Sequence, residues 1–375
     1  MMQSVEQQYA AKPAPQRNST IDIAKGLMIL LVVFAHNPLL LQYESELQRV
    51  IFSFPLALFF LVTGFFLKAD APMPAFVRSR ASSLLKPFFV VLLALAVMKV
   101  GKQVLLPPEG ESPLGLKYFA GILYGTGPTI DWTPLWFLPS LFVTSVFSLV
   151  VLKLIGKRPR IIVALAAALI VIGATVASHF WSGGLCTESA KAAAILPGLP
   201  WSLDLLPITA SFMLIGYVLG PWARSFEFNA LGFVLSLAAF IAMHVFFNET
   251  MDLNCRIYGN IFVSTIQAYA GSYLALSVSS LLGRVPVCRT LLTYIGTGTI
   301  FILLFHVYIE NTSIRVLSAY LTNPYAIAAL SFLAASLGPL VIMEIAKRSA
   351  LLSAALLPRQ PQRQRESRPV NDAAG

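Results

Sequence analysis

Long apolar runs alternate with short polar segments along almost the whole chain, and the charged residues cluster at the ends of the runs. A helix rises 1.5 Å per residue, so about 20 apolar residues cross a hydrocarbon core. The pattern predicts ten membrane-spanning helices, near 21–41, 50–67, 84–106, 134–152, 161–180, 204–222, 230–248, 258–282, 290–310 and 325–346. The third holds Lys99 and Lys102 close to its outer end, where long side chains can snorkel to the interface. The expected architecture is all-α: a polytopic helix bundle over 21–346, a polar tail over 1–20, and a basic, disordered tail over 347–375 beside anionic lipid. No internal repeat is visible, so an inverted-repeat transporter has no direct support.

Composition changes the picture only by removing alternatives. The chain is 57% hydrophobic and 12% charged, with a mean hydropathy of +0.74, whereas soluble domains carry about 25% charged residues. The net charge of +10 does not indicate nucleic acid, because no Lys/Arg stripe is interleaved with aromatics. Nineteen Lys and Arg fall on one set of loops and tails and seven on the other. That bias places both termini in the cytoplasm and requires an even number of spans. The polar N-terminus is too long for the n-region of a cleaved signal, so the first helix is read as uncleaved. The expected location is the cell membrane, the inner membrane in a bacterium, with lipid as a partner. Cys186 and Cys255 fall in outer loops and can pair if that side is oxidising; no cysteine spacing suggests a metal site.

Ionisable residues within spans are costly and are functional candidates. The first span, IDIAKGLMILLVVFAH, holds three: Asp22, Lys25 and His36. Lys25 and His36 are 11 residues apart, about three turns plus 20°, so they share a stripe with an axial gap of about 16 Å. Asp22 lies about 40° from His36, on the same side. One helix then presents a cation at the cytoplasmic mouth and a titratable ring deeper in, which suits a long anionic ligand entering from the cytoplasm. The alternative is that Asp22 and Lys25 mark the interface and His36 is a packing histidine. His306, late in the ninth span, reaches a depth comparable to His36, and Glu310 four residues on shares its face. His179 and His244 lack a charged partner on their own helices and read as structural.

Arg78 and Arg80 form an RSR in the second inner segment. In an extended chain both would point the same way and grip one phosphate; inner loops are also basic without any such role. Trp132 and Trp136 in DWTPLWFLPSLF read as packing or interfacial anchors, or as faces for a sugar. The outer acidic residues read as solvated, or as acceptors for sugar hydroxyls.

Together these segments resemble the acyltransferase-3 family of membrane O-acyltransferases. Lys25 and His36 meet its R/K, ten residues, H pattern; FPLALFFLVTGFFLK resembles its apolar second span, with Thr63 where serine is usual; Arg78 and Arg80 meet its RxR. LWFLPSLF and YIGTGTIFILLFH also follow the family style, closest to its sugar O-acetyltransferases, and the likeness runs from about 17 to 346. The resemblance implies transfer of an acetyl or other short acyl group from acetyl-CoA to extracytoplasmic or lipid-linked glycan. His36, His306 and Glu310 would be catalytic, Lys25, Arg78 and Arg80 would hold the CoA phosphates, and Asp22 and Trp136 would meet substrate. No metal is expected. No fused extracytoplasmic domain is expected either; if hand-over to the acceptor needs one, another protein, such as one of polysaccharide assembly, would be the further partner. The competing class is a transporter or flippase of lipid-linked sugars, with the same charges lining a path.

Overall fold

In a computed structural model the chain is described over residues 19–41, 45–105, 115–180, 186 and 198–358. The parts of both predicted tails at 1–18 and 359–375 lie outside the described residues. The described fold is a helix bundle whose only strands are two short ones. Helices prevail because in lipid every backbone N–H and C=O needs an internal partner, which a helix supplies.

The elements in chain order are α1 (Ser19–His36), α2 (Pro38–Leu41), α3 (Ser45–Phe52), α4 (Pro55–Phe65), α5 (Met73–Arg80), α6 (Lys86–Leu105) and α7 (Leu116–Tyr124). Then come α8 (Phe137–Ile155), α9 (Pro159–Phe180), α10 (Leu206–Arg224), α11 (Ala230–Val245) and α12 (Ile261–Leu282). The last are α13 (Pro286–Thr297), α14 (Thr299–Leu317), α15 (Pro324–Arg348) and α16 (Ala350–Leu356). An antiparallel hairpin, β1 (Met251–Asp252) and β2 (Ile257–Tyr258), sits between α11 and α12. Among the described residues nine helical stretches are long and apolar enough to cross a membrane, and the 16-residue α11 is a shorter apolar tenth. The protein is a multi-pass membrane helix bundle.

Several expected elements are corrected. The second span is not one helix: α3 and α4 break at Ser53–Phe54, because Pro55 lacks an N–H and drives Phe54 out of the helical region. The ninth span breaks at Gly298, so 290–310 belongs partly to α13 and partly to α14. The third span begins earlier than expected: α5 joins α6 through a π-helical turn, Ala81–Leu85, making one stretch over Met73–Leu105. The predicted disordered tail starts as helix, since α15 runs to Arg348 and α16 follows. Lys86 Nζ donates to the carbonyls of Ala354 (2.8 Å) and Leu357 (2.5 Å), tying the end of α16 to α6.

Contacts between loops respect the predicted sides. Lys157 pairs with Asp70 at 2.5 Å, both in segments expected inside, and Arg224 donates to the Phe65 carbonyl at the inner end of the second predicted span. Lys99, near the outer end of the third predicted span, pairs with Asp131 at 2.7 Å, and Arg49 on the expected outer side donates to the carbonyls of His244 and Phe247 at the outer end of the seventh. The position of α1 is set by backbone contact with α13. A Cβ on Gly26 would overlap the Leu292 carbonyl, and one on Gly296 would overlap that of Asp22. Small residues at such a crossing let two helix backbones approach in a membrane.

Candidate active site

A cavity of about 110 Å³ opens where three helical stretches are interrupted. Ile29, Val32 and His36 of α1 form one wall, the stripe that starts at Lys25. The break before Pro55 supplies Phe52 and Phe59, and the break at Gly298 supplies Thr299. A 3₁₀ turn, Thr133–Trp136, brings in Trp136, which is itself buried. The hairpin closes the outer end with Asp252 and Asn254.

His36 ends α1, and its Nδ1 lies 2.7 Å from the Val32 carbonyl. A carbonyl can only accept, so Nδ1 carries the proton and Nε2 is left with a lone pair. That is the tautomer a general base requires. Asn37, the next residue, is fully buried; its Nδ2 donates to Ala328 O (3.3 Å) and Ser331 Oγ (3.1 Å), and its Oδ1 caps α2 by accepting from Leu39 and Leu40 N–H. The end of α1 is thereby pinned to α15, which fixes His36. His306 on α14 stands edge-on to His36, with ring centroids 5.4 Å apart and planes at 84°. Its Nδ1 donates to Ile302 O at 2.8 Å, while its buried Nε2 has no hydrogen-bond partner. Glu310 is buried, with Asn37 beside it, and its Oε1 is likewise unpartnered. Although Glu310 shares the face of His306, no hydrogen bond joins these two atoms.

Asp252 reaches the cavity from the opposite direction. Its Oδ1 accepts from Cys255 N–H at 3.1 Å, and it lies within electrostatic reach of His36. Low-polarity surroundings push its carboxyl above the ordinary aspartate range, against the pull of its turn N–H groups, His36 and Arg256. The hairpin is clamped by a Cys186–Cys255 disulfide, the pairing the sequence left open. It is clamped again by Arg256, which adopts a left-handed backbone (φ 60°) and a fully buried ion pair with Asp204 at 2.8 Å.

The inner residues lie elsewhere. Lys25 pairs with the buried Asp22 at 2.7 Å, and neither lines the cavity. Arg78 and Arg80 are corrected: they are helical, in α5, where residues two apart diverge by about 200°. Their shared grip on one phosphate, argued from an extended chain, loses its basis; Arg80 instead lies over the Phe76 ring, 5.2 Å from its centre. Thr63 donates to the Phe59 carbonyl at 2.9 Å.

A family model described as an acyltransferase domain, that of the acyltransferase-3 family, matches residues 18–344. The chain belongs to the acyltransferase-3 family. A comparison with curated proteins gives no match. The protein is thus a membrane acyltransferase.

In this acyltransferase the structure gathers His36, His306 and Trp136 and leaves Asp22, Lys25, Arg78 and Arg80 apart from the cavity. Trp132 packs on Tyr308, with ring centroids 5.5 Å apart, and His244 packs on Phe240 at 4.3 Å. Sequence reasoning did not single out Asp252, Asn37 or Thr299. Asp252 was one outer carboxylate among many; its closeness to Cys255 was the single available signal.

Proposed function

We propose that this acyltransferase moves an acetyl or other short acyl group from cytoplasmic acyl-CoA to a hydroxyl of an extracytoplasmic or lipid-linked glycan. The observation that carries the reading is the α1 stripe: Lys25 at its inner end, and Ile29, Val32 and His36 along the cavity wall. CoA docks from the inside, with Lys25 and the arginines of α5 drawing its phosphates, and the thioester reaches His36. The acceptor enters from the hairpin side. Its hydroxyl oxygen attacks the thioester carbonyl carbon as His36 Nε2 takes the hydroxyl proton. The C–S bond then breaks and the ester forms. The thiolate leaves without a strong acid, since a thiol pKa is about 8.5. Trp136, Asp252 and Asn254 offer the apolar face and hydrogen-bonding groups a sugar needs. The expected setting is the inner membrane of a bacterium, working with polysaccharide-assembly proteins.

The test uses membrane vesicles from cells expressing the full chain, supplied with acetyl-CoA labelled in the acetyl group. Label entering the glycan fraction with release of free CoA, and its loss in His36→Ala, supports acyl transfer. Movement of lipid-linked glycan across the vesicle membrane without CoA turnover would instead make the protein a flippase and overturn the reading.

A further inference from the structure

The outer hairpin is fixed more firmly than a loop between two spans needs to be. Its strands pair in register, Met251 with Tyr258 and Asp252 with Ile257. Cys255 in its turn is joined to Cys186. Arg256, the next residue, is held by Asp204, by Ser202 Oγ at 3.1 Å and by the Asn254 carbonyl at 2.8 Å. All these constraints converge on the turn that begins at Asp252. Its Oδ1 is committed to Cys255 N–H, and it forms no salt bridge among the described residues, because Arg256 is spent on Asp204. Asp252 is half-buried on the cavity wall, with His36 on the wall formed by α1.

We infer that Asp252 is a positioning residue for His36, held by the clamped hairpin so that its carboxylate faces the imidazolium His36 becomes. The inference rests on the acyl-transfer reading above. When His36 Nε2 takes the acceptor's hydroxyl proton, the ring gains a positive charge in surroundings poor in water. The neighbouring His306 offers no compensation: its one protonated nitrogen is directed at Ile302 O, and a second cation there would repel the first. A carboxylate within reach lowers the energy of the charged ring in the transition state, and does so only once the charge appears. The proton passes afterwards to the departing CoA thiolate or to water, and Asp252 takes no proton in the step.

The experiment compares wild type, Asp252→Asn and Asp252→Glu in the labelled acetyl-CoA vesicle assay, at matched protein abundance and melting temperature. Asp252→Asn is expected to lower kcat on the order of tenfold or more, with the acetyl-CoA KM unchanged, the signature of an interaction made only in the transition state. Asp252→Glu, which keeps the charge, is expected to recover part of that rate. Wild-type rates in Asp252→Asn overturn the inference, as does an equal loss in both variants, which marks a shape role only. If Asp252→Asn does not accumulate, the Glu variant decides: a rate well above that of His36→Ala supports the inference, and a Glu variant as slow as His36→Ala overturns it. Absence of label transfer by wild type itself overturns the acyl-transfer reading, a result separable from the others.

Discussion

Arg256 and Asp204 form an ion pair with almost no solvent exposure, Nε to Oδ2 at 2.8 Å, and Arg256 lies in the turn between the strands of the hairpin that carries Asp252. Removing one partner leaves a buried charge without compensation, which costs about 3–5 kcal/mol. Arg256→Ala is therefore expected to lower the melting temperature of the detergent-solubilised protein and to reduce transfer. The double variant Asp204→Leu/Arg256→Met, which removes both charges and keeps bulk, is expected to melt above Arg256→Ala. A double variant that melts lower than the single would show that the pair, and not the orphaned charge, matters.

The Cys186–Cys255 bridge closes a loop of sequence separation 69. Because it anchors the turn next to Asp252, reduction is expected to slow acyl transfer. A membrane-permeant reductant should lower wild-type activity, and Cys186→Ser should have low activity that the reductant no longer changes. Cys288→Ser, which removes the free thiol, should behave as wild type. A reductant effect that persists in Cys186→Ser would place the sensitivity elsewhere.

The spans were legible because lipid leaves few choices: a run of about 20 apolar residues must be a helix, and loop charges set its direction. The meeting of His36 and His306 was foreshadowed by equal depth on two outward-running helices. The interruptions were written as Pro55 and Gly298, but a hydropathy window averages over single residues. Arg78 and Arg80 misled because a basic segment between apolar runs reads as loop, whereas α5 is helical from Met73 and its helix continues into α6. Asp252 was not legible. Its place depends on a turn, a disulfide to a residue 69 positions away and an ion pair to Asp204, and none of these has a local pattern.

The surroundings of Asp252 give a pH dependence. Desolvation raises its carboxyl, outweighing the opposing pull of His36, of Arg256 and of the Asn254 and Cys255 N–H groups. The ionised form is the one that supports His36, so activity is lost as pH falls through this raised pKa, at a higher pH than an ordinary aspartate would give. The kcat–pH profile of the wild type is expected to contain that limb. Asp252→Asn, already slow, is expected to lack it. Identical acid limbs in the two proteins would remove Asp252 from the reaction.

The crossing of α1 and α13 joins packing to chemistry. Gly296 lies against the Asp22 carbonyl, and a Cβ there would overlap it. Backbone cannot rotate away as a side chain can, so Gly296→Ala must push α1 from α13, at about 1–3 kcal/mol for overpacking. The same helix carries His36, and displacing a reacting group by about 1 Å can cost about 10²-fold in rate. Gly296→Ala is therefore expected to lower kcat by more than its loss of stability lowers the folded fraction. Gly101→Ala, on α6 with open space around the new methyl, is the control: it should keep full activity and gain about 0.5–1 kcal/mol from the helix propensity of alanine. Equal, wild-type rates in both variants at matched folded protein would mean that α1 tolerates the shift and that His36 is not held through this crossing.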